Sequence, residues 1–425
     1  MTCDRTLRVA CDSLVALGGA TRDGDVLFAK NSDRPAFECQ PLVQLAAQSF
    51  AAGARLRCTY IEIPQAARTA RVIGSKPFWC WGFEHGLNEH GVAIGNHTVF
   101  TKDGLAGLGL IGMDIVRLGL ERGRTATQAL EEMTRLIETY GQGGSGYDDK
   151  DWPYHNSFLV ADRHSAFLLE TSDRRWAVRE IADVGSASNH LTIGSDWTAL
   201  SDGIIEHAVE RGWWPADADA RFDFAAAYRD TSVAPDVISS GRHQRTCNLL
   251  DHHRGEIAVG SLKSALRDHY NLPAPGAGRT PMDAEYFSVC MHAEPVGTTT
   301  ASMIASLPPA PGVPLYFASL GSPCVGAFLP LFIDADVPPI LAHSSAEPSE
   351  ASPWWRMKQL LIAVERDWSS HLPRVRAAMD RFETEAHQEA LKVAGGSRAD
   401  KVAFMRARVE DLLGLVADLR RQLEA

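Results

Sequence analysis

The sequence lacks what several whole classes of protein require. No apolar run approaches the roughly 18 residues that a membrane-spanning helix needs. The first ten residues, Met1–Ala10, have no apolar stretch of about 7–15 residues, so they are not a secretory signal. No Lys/Arg-rich run is present, and 42 basic against 53 acidic residues give a formal charge of −11. Nucleic acid is therefore not an expected partner. The chain has eight cysteines in 425 residues, at positions 3, 11, 39, 58, 80, 247, 290 and 324. They form no C-x-x-C pair and are too sparse for a disulfide scaffold, so free thiols in a reducing, cytoplasmic setting are expected. His85, His90 and His97 form no helical H-x-x-x-H pair and have no acidic partner in place. No metal and no other cofactor is implied.

What the chain does have is a strong opening. Cys11–Pro35 reads C-D-S-L-V-A-L-G-G-A-T-R-D-G-D-V-L-F-A-K-N-S-D-R-P. Leu14, Val15 and Leu17 mark one strand and Val26, Leu27 and Phe28 a second, with Asp23-Gly24 as the signal for a two-residue turn. Such a hairpin gathers a thiol, two cations, an amide and a carboxylate at neighbouring strand ends: Cys11, Lys30, Arg34, Asn31 and Asp33. Cys11 is also near the chain start. If Met1–Ala10 is removed as a leader, Cys11 gains a free α-amine with a pKa of roughly 7.7–8.0. That amine can act as general base for its own thiol, whereas a peptide nitrogen, with its lone pair delocalised, cannot.

The words C-D-S-L-V-A and F-A-K-N-S-D-R-P resemble the secernin and PepD-type dipeptidase family of N-terminal-nucleophile (Ntn) cysteine hydrolases. So do N-E-H-G-V-A-I-G-N at Asn88–Asn96, S-N-H-L-T-I-G at Ser188–Gly194 and V-C-M-H-A with T-T-A-S-M-I between Val289 and Ile304. The resemblance implies an α+β fold, a four-layer αββα sandwich, and a thiol amidase. It implies Cys11 as nucleophile and Asp33 as the group orienting its amine. Lys30 stands where related acylases carry Arg and would favour the thiolate. Asn96 and Asn189 match amides that hold the oxyanion, and Arg245, with Arg242 as the alternative, matches a site arginine. As plain sequence, both asparagines also read as strand-end turn residues.

The rest of the chain reads as scaffold. Arg57–Ile63 and Ala70–Ile73 alternate as strands. Ser75–Gly82, S-K-P-F-W-C-W-G, reads equally as pocket wall or core. Two helices are expected over 113–140, the second capped by Thr125 with Gln128 as a capping box. A Gly-rich loop follows at Gly141–Gly146. Tyr154–Glu170 reads as a hairpin with His155 and Asn156 at its mouth. A short helix is expected at Thr246–His252, and a strand at Cys324–Phe328. Cys290 and His292 fall two apart on a strand and read as core or site wall. Residues 347–425 form a helical extension split near Pro373, packed on the body or against a second copy.

The domain plan is a leader at 1–10, an Ntn-hydrolase body at 11–346 and the extension. The expected substrates are short peptides. The alternatives are a linear-amide acylase of the penicillin V or bile-salt type and a non-catalytic secernin-like binding protein.

Overall fold

The computed structural model describes residues 10–105, 107–232, 238–280, 283–294 and 297–424. Met1–Val9 of the expected leader lie outside them. The opening hairpin forms from β1 (Ala10–Ala16) and β2 (Val26–Arg34), antiparallel, with Cys11 opposite Ser32 and Ser13 opposite Lys30. Its turn differs from expectation. Gly18–Ala20 makes a turn of 3-10 helix and Gly24 takes φ +80°. Thr21 Oγ1 donates to the carbonyls of Gly18 and Asp25, and the Arg22 N–H donates to Ile257. The longer loop thus satisfies its polar groups by itself and by docking, so the tight Asp23-Gly24 turn is not used.

Along the chain follow β3 (Leu42–Leu45), β4 (Gln48–Ser49), β5 (Arg55–Arg57), β6 (Glu62–Pro64), β7 (Arg68–Thr69), β8 (Val72–Ser75), β9 (His85–Asn88) and β10 (Ala93–Val99). The one strand expected at Arg57–Ile63 is instead the β5–β6 hairpin, closed by the Cys58 N–H on the Ile61 carbonyl at 2.9 Å. Helices α1 (Gly112–Arg122) and α2 (Ala126–Tyr140) come next. Thr125 caps α2 as expected, its Oγ1 accepting from the Gln128 N–H at 3.1 Å. The Gln128 side chain reaches back one residue further than in a capping box, to the Arg124 N–H.

Then come β11 (His155–Ala161), β12 (Ala166–Ser172), β13 (Arg175–Ile181), β14 (Val184–Ala187) and β15 (Ala199–Leu200). Four helices follow: α3 (Ile204–Glu210), α4 (Phe224–Tyr228), α5 (Ser240–His252) and α6 (Val259–Leu266). The remaining strands are β16 (His292–Ala293), β17 (Gly297–Leu307), β18 (Leu315–Leu320) and β19 (Leu329–Phe332). The strand placed at Cys324–Phe328 is corrected to Leu329–Phe332: Gly321 at φ +82° and the N–H groups of Val325 and Gly326 on the Ser322 carbonyl make that stretch a turn.

Helices α7 (Pro353–Glu365), α8 (Trp368–Val393) and α9 (Arg398–Glu424) end the described chain. The break between α7 and α8 falls at Asp367, which caps the Ser370 N–H at 3.2 Å, and Pro373 lies within α8.

Two large antiparallel sheets result, beside the two-stranded pairings of β4 with β7 and of β5 with β6. One runs β14-β1-β2-β17-β18-β19, with β16 added on β17; the other runs β15-β13-β12-β11-β10-β9-β8-β3. The sheets face one another: a Cβ on Gly95 of β10 would run into the Lys30 stem of β2. Helices α1 and α2 cover the outer face of the eight-stranded sheet through Ile115, Leu118, Met133 and Leu136. Helices α5 and α6 cover the seven-stranded sheet at β14, β1, β2 and β17. The fold is therefore an αββα sandwich with C-terminal helices. β2 is buried at every position, because both of its faces are covered. The C-terminal helices join the main core through Trp354, Phe382, Met405 and Leu412. No helix among the described residues is long and apolar enough to cross a membrane.

Candidate active site

Strand alternation sorts the hairpin's chemistry onto two faces. Cys11, Ser13, Lys30 and Ser32 look across to the eight-stranded sheet. Asp12, Asn31 and Asp33 look toward α5 and α6.

On the inner face the Lys30 ammonium lies 3.6 Å from Cys11 Sγ and 3.5 Å from Glu84 Oε2. Glu84 also lies 3.6 Å from Arg34, which grips Glu38 with two bonds of 2.7 and 2.9 Å. Trp79 donates to Glu38 at 3.1 Å, whereas Trp81 stacks on Arg117 and Phe78 packs against the main core, so one ring of the cluster borders the site. Tyr147 stacks on the Arg34 guanidinium at 4.4 Å, and Arg34 donates to the Gly146 carbonyl at 2.6 Å. The loop after Gly141 is thereby docked over this face. Ser13 Oγ meets His97 Nε2 at 2.7 Å.

On the outer face Arg242 is completely buried. Its guanidinium meets Asp12 Oδ2 at 2.5 Å, Asn189 Oδ1 at 2.7 Å and the Cys11 carbonyl at 3.3 Å. Asp33 Oδ1 accepts from Thr299 Oγ1 at 2.5 Å, while its Oδ2 has no hydrogen-bond partner among the described residues and lies 3.9 Å from Arg242. Thr299 reaches Asp33 because β17 bulges between Thr299 and Ala301 opposite this pair, and a bulge re-aims its side chains. Asn31 Nδ2 donates to the Leu266 and Val289 carbonyls at 2.9 and 2.8 Å, fixing the strand to the helix side.

The two faces meet at the Cys11 backbone. Its N–H donates to Asn189 Oδ1 at 2.7 Å. Extending the β1–β14 register from Ser13 opposite Ala187 puts Asn189 opposite Cys11, so a side-chain oxygen stands where a strand carbonyl would be. Asn189 Nδ2 gives one hydrogen to the Thr98 carbonyl at 3.0 Å.

Burial pushes the Cys11 thiol up to about 12; Lys30 opposes that, and Glu84 and Asp33 add to it. The thiol is thus neutral at pH 7 in the intact chain. Burial also raises the Asp33 carboxyl to about 7, against the pull of Arg242 and with the push of Asp12.

Of the residues expected from sequence, Cys11, Lys30, Asp33 and Asn189 converge. Asn96 joins at one remove. With its amide turned to suit the network, Nδ2 donates to Glu84 Oε2 at 2.8 Å and to the Glu84 carbonyl at 2.9 Å. Asn156 touches Asn96, but His155 turns away to Thr101 at 3.0 Å.

Arg245 is a correction. It pairs with Asp268 at 2.9 and 2.6 Å and is partly exposed, whereas Arg242 reaches the site. Helix α5 begins at Ser240 rather than Thr246, which places Arg242 in its first turn. Glu84 and Thr299 were missed: Glu84 lies in none of the quoted words, Thr299 opens T-T-A-S-M-I with no role assigned to it, and both arrive by strand pairing. Asp12, next to Cys11, carried a signal only through its neighbour. A surface cavity of about 360 Å³ between Ala47–Ala70 and Glu121–Arg124 contains none of these residues.

No model of a known protein family matches the chain. Among solved structures it is similar to penicillin V acylase from Agrobacterium tumefaciens, at 13% identity and a TM-score of 0.43, over 76% of this chain and 86% of that one. It is similar to a variant of conjugated bile acid hydrolase from Clostridium perfringens, at 14% and 0.42, over 72% and 88%. A Caenorhabditis elegans ortholog of N-acylethanolamine-hydrolyzing acid amidase follows at 10% and 0.34, over 69% and 92%. With scores below 0.5, these likenesses assign neither an activity nor a site residue to this chain.

Proposed function

We propose that this chain is a thiol amide hydrolase working through Cys11 once residues 1–10 are removed, and that short peptides are its substrates. The observation that carries the reading is the surroundings of the Cys11 nitrogen. Its acceptor is the side chain of Asn189 at 2.7 Å, itself held by Arg242. Asp33, paired across the strands with Ala10, keeps a buried oxygen without a partner among the described residues. A peptide N–H has one hydrogen to give and needs one acceptor. An amine or ammonium at the same place has more hydrogens, and we assign one of them to the Asp33 carboxylate.

In the processed chain the α-amine takes the thiol proton, and the thiolate is favoured by the Lys30 ammonium. Sγ attacks the substrate carbonyl carbon. The oxyanion falls to the second amide hydrogen of Asn189, and to Asn96 once it exchanges one of its two hydrogen bonds to Glu84 for one to the oxyanion; losing one such donor typically costs about 100–1,000-fold in rate. The C–N bond breaks as the amine leaves with the proton, giving a thioester. Water then attacks the thioester carbon and gives a proton to the α-amine; the C–S bond breaks, the acid departs, and the Cys11 thiolate takes the proton back from the ammonium. Asp12 and Arg242 hold the nucleophile's backbone and are positioning residues. The peptide substrate class rests on the likeness of the sequence words to PepD-type dipeptidases.

The test is turnover of a dipeptide set by chains beginning at Met1 and at Cys11, with Cys11→Ala alongside. Activity confined to the Cys11-first form, and at background in Cys11→Ala, is the expected result. Equal turnover by Cys11→Ala would sink the reading. Turnover of N-acyl amides and not of dipeptides would keep the chemistry and replace the substrate.

A further inference from the structure

A second cluster of thiols and imidazoles lies behind the hairpin and takes no part in the chemistry above. His269 follows α6, Cys290 precedes β16, His292 opens β16, and Cys324 sits in the turn between β18 and β19. One ligand atom from each lies within 4.8 Å of the other three. His292 Nε2 stands 3.6 Å from Cys290 Sγ and 3.3 Å from Cys324 Sγ. Cys290 and His292 touch, since β16 is only His292–Ala293 and Cys290 lies outside it.

We propose that His269, Cys290, His292 and Cys324 form a structural zinc site. Tetrahedral zinc with bonds of about 2.3 Å to sulfur and 2.0–2.1 Å to nitrogen sets its ligand atoms about 3.3–3.8 Å apart. The two measured N···S distances are already in or near that range, and the widest separations need to close by about 1 Å. Two thiolates and two neutral imidazoles suit zinc, and four protein ligands leave no open position for a substrate or water.

The surroundings fit a metal-bound imidazole. If His292 binds through Nε2, its Nδ1 is left facing outward, and Glu365 Oε1 lies 3.8 Å from that atom. Carboxylates recur at this place because they fix the orientation of the ligand ring. Trp368 packs edge-on against both rings, at 6.0 Å from His269 and 5.3 Å from His292. The Cys290 N–H donates to the Asp268 carbonyl at 3.1 Å, holding the His269 segment beside Cys290.

The site would brace the hairpin from behind. Val289, next to Cys290, accepts from Asn31 at 2.8 Å. The Met291 N–H donates to Thr299 Oγ1 at 2.8 Å, and Thr299 in turn donates to Asp33. Zinc would thus join three distant segments into one support for Asn31 and Asp33.

The test uses the full chain, freed of metal by a chelator and titrated with cobalt(II). The expected result is one cobalt per chain, with the intense visible absorption of tetrahedral thiolate-bound cobalt, displaced by one equivalent of zinc. The absorption is lost in Cys324→Ala and His269→Ala. It persists in Cys247→Ser, whose thiol lies 3.6 Å from His243, and in Cys11→Ser. Persistence in Cys11→Ser separates this site from the proposed nucleophile, and an inactive chain can still pass. The wild-type titration decides even if a variant does not fold. Absence of the tetrahedral spectrum, its retention in Cys324→Ala, or a Cys290–Cys324 disulfide in freshly purified protein would overturn the proposal.

Discussion

The two faces of β1–β2 hold their charges in different ways. On the inner face two cations and two carboxylates alternate: Lys30, Glu84, Arg34 and Glu38. Each carboxylate that loses one cation still has contact with another group. On the outer face a single guanidinium, Arg242, serves Asp12 closely and Asp33 at longer range. A chain of pairs distributes the penalty of burial; a hub concentrates it. The hub stands on the backbone of the proposed nucleophile, so its loss should disturb fold and chemistry together.

The largest expected effect tests the hub. Arg242→Met leaves two buried acids without their cation, and breaking a buried pair costs about 3–5 kcal/mol. Lys30→Met leaves Glu84 with Arg34, and about 1–3 kcal/mol is expected, the desolvation penalty of one under-satisfied group. Urea unfolding of both variants measures the difference, and a greater loss for Lys30→Met would reverse the comparison.

Next, Gly95→Ala puts a methyl group into the Lys30 stem across the sheet interface. Overpacking of this kind costs about 1–3 kcal/mol. Since the stem carries the ammonium beside Cys11, activity of the processed chain should fall as well; unchanged stability and rate would show that the stem has room to move.

The smallest effect is a slope. Asp33 has its folded pKa raised to about 7, above an unfolded value of about 3.9. The native state therefore holds this proton more tightly than the unfolded chain does. Its contribution to stability is full below about pH 4, declines as pH rises toward 7 and is absent above. Asp33→Asn should flatten that part of the stability–pH curve relative to wild type. Glu170 and Asp114 are also raised, to about 7 and about 6, so the difference between the two curves is the quantity to read. Identical slopes would remove Asp33 from the account.

How much of this was legible follows from range along the chain. The Thr125 cap, the α2 face and the hairpin strands are set by neighbours a few residues apart, and they appear as read. Register was not legible. A two-residue turn at Asp23-Gly24 pairs Arg22 with Asp25, and so Cys11 with Ala36; the docked nine-residue loop Leu17–Asp25 pairs it with Ser32 instead. That shift of four keeps each side chain on its face and moves Lys30 from opposite Leu17 to opposite Ser13, which is what brings it within reach of Cys11. The Arg242/Arg245 choice failed because the start of α5 sets which arginine is buried; Ser239 is a residue type that caps helices, but its hydroxyl is held by His190 at 2.8 Å and makes no cap bond. Glu84, Thr299 and the four-residue thiol–imidazole cluster are assembled by pairings between distant segments, which single-residue words do not encode.

Glu383 draws the C-terminal helices into the same structure. From α8 its carboxylate takes Lys263 at 3.0 Å, Arg267 and the Phe328 N–H at 2.7 Å. Lys263 lies in α6, whose last residue, Leu266, offers the carbonyl that Asn31 grips. A truncation before α8 would therefore do more than expose apolar surface. It would leave two like charges side by side beneath the nucleophile's sheet, with mutual repulsion where there is now a shared counter-ion. The terminal helices behave as an electrostatic keystone for α6, and a shortened chain would transmit the damage to the hairpin through a helix that was never cut.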